Sequence, residues 1–167
     1  KVCIDVGCGS GIQTINLAMN GAAKVVCVDV NENAVKNALH NAKKSGFAKI
    51  VTAAQSDLFE NAGEIFHEKF DLIVFNPPYL ESEELKERGL DGGKKGREVL
   101  DRFLEQAGKH LAKNGKIYFL QTSLNGIDET EGILGKLGFN AEVVARKRIF
   151  FEELLVFKAW KEESITH

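Results

Sequence analysis

Cysteine is scarce: the 167 residues hold only Cys3, Cys8 and Cys27. They are odd in number and have no C-x-x-C spacing. Cys3 and Cys27 fall in apolar runs and read as buried strand residues, not as metal ligands or disulfide partners. Such usage fits a reducing, cytoplasmic compartment. The four histidines, His40, His67, His110 and His167, show no ligand spacing either, so no metal is expected. There is no excess of positive charge: the formal net charge is −2, which removes the global electrostatic case for a nucleic-acid binder. Also missing are a signal peptide and any apolar run long enough to cross a bilayer, so no membrane role is expected. Neither repeats nor low-complexity segments occur. Proline is limited to two residues, and they are adjacent, Pro77 and Pro78.

Within these bounds the chain has the length of a single domain, 1–167. It opens on Lys1 and enters a core strand at once, so a native N-terminal segment is expected to precede it. Apolar runs of strand length alternate with helical patterns, which predicts an α/β fold with a mostly parallel sheet covered on both faces. Strands are predicted at 1–6, 24–29, 49–54, 70–75 and 117–121, and helices at 12–20, 31–46, 97–112 and 128–137. In the first helix Ile12, Ile15 and Met19 form the apolar face. In the second, capped by Asn31, the face is Val35, Ala38, Leu39 and Ala42. A short helix is expected at 81–86 and a glycine-rich mobile loop at 89–96. Two strands, 139–145 and 153–159, are joined by so short a link that they must form an antiparallel hairpin.

Between the first strand and first helix lies Asp5-Val6-Gly7-Cys8-Gly9-Ser10-Gly11. Its glycines allow a tight turn and close backbone approach by a ligand at the carboxyl end of the sheet. Ile12 stands where a dinucleotide fingerprint would have its third glycine, and Asp5 would repel phosphate while suiting a cation. Asp29 ends the second strand, where a carboxylate can accept both hydroxyls of a ribose. After the third strand, Asp57 can accept from an adenine amino group, and Leu58 offers an amide and apolar contact. The group describes a pocket for a positively charged adenosine derivative. Read singly, each acid could be a turn or helix cap.

The most informative run is Phe70-Asp71-Leu72-Ile73-Val74-Phe75-Asn76-Pro77-Pro78-Tyr79. Two prolines remove two backbone donors and end the strand. The turn then presents one amide and one aromatic. A planar NH2 group keeps its lone pair in conjugation, so it must be oriented before it can attack. The Asn76 side-chain oxygen and the Pro77 carbonyl can accept its two N–H bonds, Pro78 stiffens the turn, and Tyr79 can limit the tilt of the planar group.

With these residues in view, the chain closely resembles the HemK/PrmC family of class I methyltransferases, which act on a glutamine side chain in translation release factors. The resemblance runs over nearly the whole chain. It rests on Asp5 to Gly11, Val28-Asp29-Val30-Asn31, Ser56-Asp57-Leu58-Phe59 and Phe70 to Tyr79. It extends to Leu90-Asp91-Gly92-Gly93 and Gly96-Arg97-Glu98, which are more similar to the archaeal and eukaryotic branch. It implies a Rossmann-like, seven-stranded sheet with an antiparallel last strand. It also implies S-adenosylmethionine as methyl donor, held by Asp5, Gly7, Cys8, Gly9, Gly11, Asp29, Val30, Asp57, Leu58 and Asn76. Asn76, Pro77, Pro78 and Tyr79 would hold the acceptor amide. Members of this branch pair with a small zinc-binding activator protein, and the edge strand 49–54 could accept it.

Competing readings stay open. An exocyclic base amine of DNA or RNA uses a similar turn, but needs a basic track for the backbone. Protein lysine methylation and a non-catalytic scaffold are further alternatives. Lys94, Lys95 and Arg97 lie near the expected entrance, and Arg146-Lys147-Arg148 lies on the last hairpin. Both clusters could meet an acidic partner or RNA, or be solvated surface. Phe150 and Phe151 beside the second cluster could be core or a docking contact.

Overall fold

The computed structural model describes residues 1–60, 63–78 and 97–162. The elements are β1 (Val2–Val6), α1 (Ile12–Met19), β2 (Lys24–Asp29), α2 (Glu32–Lys44), β3 (Val51–Gln55), β4 (Phe70–Phe75), α3 (Glu98–Ala107), β5 (Leu111–Thr122), α4 (Ile127–Lys136), β6 (Asn140–Ile149) and β7 (Glu152–Trp160). They build a seven-stranded sheet in the order β3-β2-β1-β4-β5-β7-β6. From β3 to β5 all pairings are parallel. β7 alone is inverted, antiparallel to both β5 and β6. The expected Rossmann-like sheet is present, and the antiparallel contact reaches beyond the predicted hairpin to β5.

Period-two alternation sends neighbouring residues of the central strands to opposite faces. Ile4, Val6, Val26 and Val28 enter a core with Leu100, Phe103 and Leu104 of α3 and Leu134 of α4. Val25 and Cys27 enter a second core with Ala18 of α1 and Ala38 and Ala42 of α2. The first core is aromatic, with Phe75 against Phe103 at 4.4 Å between ring centres and Phe119 stacked on Phe157 at 5.2 Å. The second is built from small side chains, which lets α1 and α2 lie close together. Gly11, at φ +80°, sits where this approach is tightest: a Cβ there would lie 2.8 Å from the Ala38 Cα.

The face of α1 differs from the periodicity. Ile12 and Met19 are exposed, and the buried residues are Thr14 and Ala18. The reason is Asp5, fully covered beneath the helix, whose carboxylate accepts from Thr14 N at 2.9 Å and Thr14 Oγ1 at 2.7 Å. That buried polar demand outweighs the apolar count. In α2, capped by Asn31 through Asn33 N, Val35, Ala38 and Ala42 are buried as expected, but Leu39 lies outside. α3 ends earlier and β5 begins earlier than the pattern predicts. Phe70 pairs with Leu111 and Leu72 with Lys116, so the intervening residues bulge out of β5 instead of extending the helix. The expected features at 81–86 and 89–96 lie outside the described residues.

β6 and β7 are joined by a two-residue loop, Phe150-Phe151. Phe150 takes φ +45°, a left-handed conformation that costs an aromatic residue about 1–2 kcal/mol. Both rings are exposed, 94% and 100%. Neither belongs to the core.

Candidate active site

Four strand ends converge on one cavity of about 360 Å³ at the carboxyl end of the sheet. Gly7 and Gly9 follow β1, Asp29, Val30 and Asn31 follow β2, Ser56, Asp57 and Leu58 follow β3, and Phe75, Asn76 and Pro78 close the wall from β4. Ala34 of α2 and Val99 of α3 complete it. These turns meet at one end because parallel strands carry all their exits on the same side.

Asp29 is the best anchored of the acids. Its two carboxylate oxygens accept from Gly9 N and Asn31 N, each at 2.9 Å. These amides fix the carboxylate at the cavity and leave lone pairs for a ligand hydroxyl. Asp57 is held from the other side by Arg102 at 2.9 Å, a residue of α3. Leu58, between Asp57 and the core, has φ +54° and is buried. A branched side chain in that region marks a constrained turn, and here the constraint lies against the cavity. Gly7 is open enough to turn at φ +64°, and a Cβ there would meet the Phe75 ring at 3.3 Å.

Of the residues expected around the cofactor, Gly7, Gly9, Asp29, Val30, Asp57, Leu58 and Asn76 line this cavity. Asp5, Cys8 and Gly11 do not, each for a structural reason. Asp5 is turned under the glycine loop to Thr14. Burial pushes its pKa up to about 6, with the Thr14 hydrogen bonds opposing and the Asp29 charge adding to the rise. Cys8 points into the small-residue core. A hydrogen bond with Cys27, and then burial, hold its thiol far above the usual range, so it is a neutral core group. Gly11 serves the contact of α1 with α2. Of the tetrapeptide, Asn76 is exposed, Pro77 is buried and Pro78 is half-buried; Tyr79 lies outside the described residues.

Sequence reasoning missed Asn31, Ala34, Ser56, Phe75 and Val99 as lining residues. Asn31, Ser56 and Phe75 adjoin motif positions and could have been added by proximity. Val99 carries no local signal, since only the packing of α3 brings it in. Arg97, expected near an entrance, is instead buried. Its guanidinium donates to the Asn125 and Gly126 carbonyls and to Thr130 Oγ1, and pairs with Asp101. It fastens α3 to the start of α4.

A second cavity, about 210 Å³, opens beside the first and is lined by Gln13, Val74, Tyr118, Leu120 and Val156. Phe75 and Asn76 line both. Asn76 therefore stands in the wall between two chambers, one glycine- and carboxylate-lined and one mainly apolar. Among the described residues no group of histidine, cysteine, aspartate and glutamate could hold a metal ion. None of their helices is long and apolar enough to cross a membrane.

The sequence pattern of the methyltransferase small domain family matches residues 1–151. A Methanocaldococcus jannaschii protein, named provisionally as a protein N5-glutamine methyltransferase, is 43% identical over 96% of this chain and 82% of its own length. Methyltransferase HEMK2 of Homo sapiens is 30% identical over 96% of this chain and 78% of its own. Among solved structures, the E. cuniculi Mtq2-Trm112 complex, responsible for methylation of the translation termination factor eRF1, superposes with a TM-score of 0.74. There the identity is 25%, with 97% of this chain and 85% of the other covered. With its glycine loop, its acids and Asn76 gathered at one end of this sheet, the chain belongs to the methyltransferase small domain family, in its HemK/PrmC branch, and is a methyltransferase.

Proposed function

We propose that the chain transfers a methyl group from S-adenosylmethionine to the side-chain amide nitrogen of a glutamine in a translation release factor. The observation that carries this reading is the place of Asn76 in the wall shared by the two cavities. The chemistry of the larger cavity fits the donor. Asp29 suits the ribose hydroxyls and Asp57 the adenine amino group. Glycine backbone at 7 and 9 allows close approach, and Leu58, Phe75 and Val99 offer apolar contact to the base. When bound, S-adenosylmethionine supplies a methyl group on a cationic sulfur.

The chain's own work is positioning. The Asn76 oxygen and the Pro77 carbonyl accept the two N–H bonds of the acceptor amide and turn its lone pair towards the larger cavity. Pro77 and Pro78 hold these acceptors in place, so little entropy is lost at the moment of reaction. Tyr79, which the family resemblance assigns to the same slot, lies outside the described residues. No general base is required before transfer; the proton leaves afterwards to solvent. A release-factor substrate fits a cytoplasmic site of action. The names of the relatives support glutamine, and the net charge of −2 weighs against a nucleic-acid acceptor.

The test is transfer of labelled methyl to three acceptors: intact release factor, the same protein with its acceptor glutamine replaced, and nucleic acid. Label is expected in the first alone. Label in nucleic acid with none in release factor would overturn the assignment.

An activator subunit completes the proposal. Among the described residues β3 is an edge of the sheet, paired only with β2. A small zinc-binding protein could add a strand there, using the unpaired backbone side of Val51–Gln55. Ala53→Pro is expected to abolish co-purification with that partner. Unchanged pairing would remove β3 as its site.

A further inference from the structure

The loop between β6 and β7 lies at the same end of the sheet as Asn76. β6 is parallel to β4 through two successive antiparallel pairings, and the register carries Phe75 to Phe119 and Phe119 to Phe157. From Phe157 the hairpin continues five positions to Glu152, opposite Ile149. At about 3.3 Å per residue along the strands and about 4.8 Å between them, the tip stands roughly 20 Å from Asn76.

Its composition is unusual for a two-residue hairpin loop. Such loops favour Asn-Gly or glycine, yet Phe150 and Phe151 stand there, almost wholly exposed, with Phe150 held at φ +45°. The stem beneath them is pinned: Glu153 N donates to Ser123 Oγ at 3.0 Å, and Arg146 pairs with Glu153 at 3.4 Å. A strained, fully exposed aromatic pair on an ordered stem costs solubility and stability and returns nothing to the isolated fold.

We propose that the Phe150-Phe151 tip, with Lys147 and Arg148 on its stem, is a docking site for the folded body of the protein substrate, remote from the amide slot. This rests on the protein-substrate reading above. The charges favour a protein over a nucleic acid. Arg146, Lys147 and Arg148 are balanced in part by Glu152 and Glu153, leaving the tip only slightly positive. Carboxylates beside the cations weaken a phosphate track. Aromatic side chains ringed by mixed charge are instead the usual anchors of a protein interface. A contact some 20 Å from the acceptor amide is reached by a folded substrate and not by a short peptide centred on the glutamine.

The test compares wild type with Phe150→Asn/Phe151→Ser on two substrates: intact release factor and a seven-residue peptide carrying the acceptor glutamine. Asparagine tolerates the left-handed position, so the variant is expected to melt at the same temperature or higher. For the intact protein KM should rise about tenfold with kcat unchanged. For the peptide neither constant should move. An unchanged KM for the intact protein would overturn the proposal, and so would an equal loss on the peptide. RNA binding by wild type that the variant loses, with protein kinetics unaltered, would assign the tip to nucleic acid and overturn it too. If wild type methylates neither substrate, the substrate reading itself fails and the docking site falls with it.

Discussion

Asn76→Ala is expected to lower single-turnover methyl transfer to the release factor by about 10²–10³-fold, the size of effect seen when one pre-organised hydrogen-bonding group is removed from an active site. An amide nitrogen is a poor nucleophile, and its orientation is the main help this site can give. The Asn76 side chain is exposed, so truncation leaves no buried void and stability should change by less than about 0.5 kcal/mol. Donor binding, measured by calorimetry, should be little altered, because Asp29 and Asp57 remain. The loss should therefore appear in kcat with the acceptor saturating, the pattern of an interaction made in the transition state. Wild-type turnover in this variant would remove the amide clamp and leave Asn76 as a strand terminator.

Asp5→Asn is expected to make the protein more stable than wild type at neutral pH, and not at pH 4. The folded-state pKa of Asp5 is raised from 3.8 to about 6, chiefly by burial. A raised acid favours folding while it is protonated and loses that advantage as it ionises. Below about pH 4 the carboxyl is neutral in both states and nothing is lost. Between about 4 and 6 the unfolded chain gives up the proton while the folded one keeps it, so stability falls. Above about 6 both states are ionised and the loss levels off at roughly 3 kcal/mol. Asparagine keeps an acceptor for Thr14 N and Oγ1 but has no charge to bury. Urea midpoints of the two proteins should diverge from pH 4 to 6 and run parallel above 7. Curves that stay parallel throughout would mean that the Asp5 carboxylate is solvated in the folded state.

The same residue shows where sequence reasoning succeeds and where it stops. The glycine turn, Asp29 and Asn76 were legible because each is a local device: a strand exit, a turn, a rigid terminator. Parallel topology then places them together without further information. Asp5 reads in the sequence as a contact for a cationic ligand, whereas in the structure its partner is Thr14. Nothing in the pattern of α1 says that Thr14, rather than Ile12 or Met19, would face inwards. That choice is made by a buried carboxylate nine residues away and by the close approach that Gly11 permits to Ala38. Val99 goes unmarked in the sequence, and Arg97 lies elsewhere than at the expected entrance, for a related reason. Their positions follow from how α3 packs on Phe75 and α4, which no window along the chain contains. The bulge at the start of β5 was hidden because 112–115 carries the end of a helical pattern, while the pairing of Phe70 with Leu111 is decided across the sheet.

The inverted strand has a consequence for how the protein is made. β6 leaves the ribosome before β7, yet among the described residues its only neighbour in the sheet is β7. β5, emerging earlier still, waits for the same segment to cover its outer edge. A nascent chain halted before Glu152 would thus hold two unsatisfied strands and lack the fully buried Leu155, Phe157 and Ala159. Two of the six strand pairings, β5 with β7 and β6 with β7, close in one late event. An interruption of synthesis before β7 would then yield an aggregation-prone species, not a weakened enzyme.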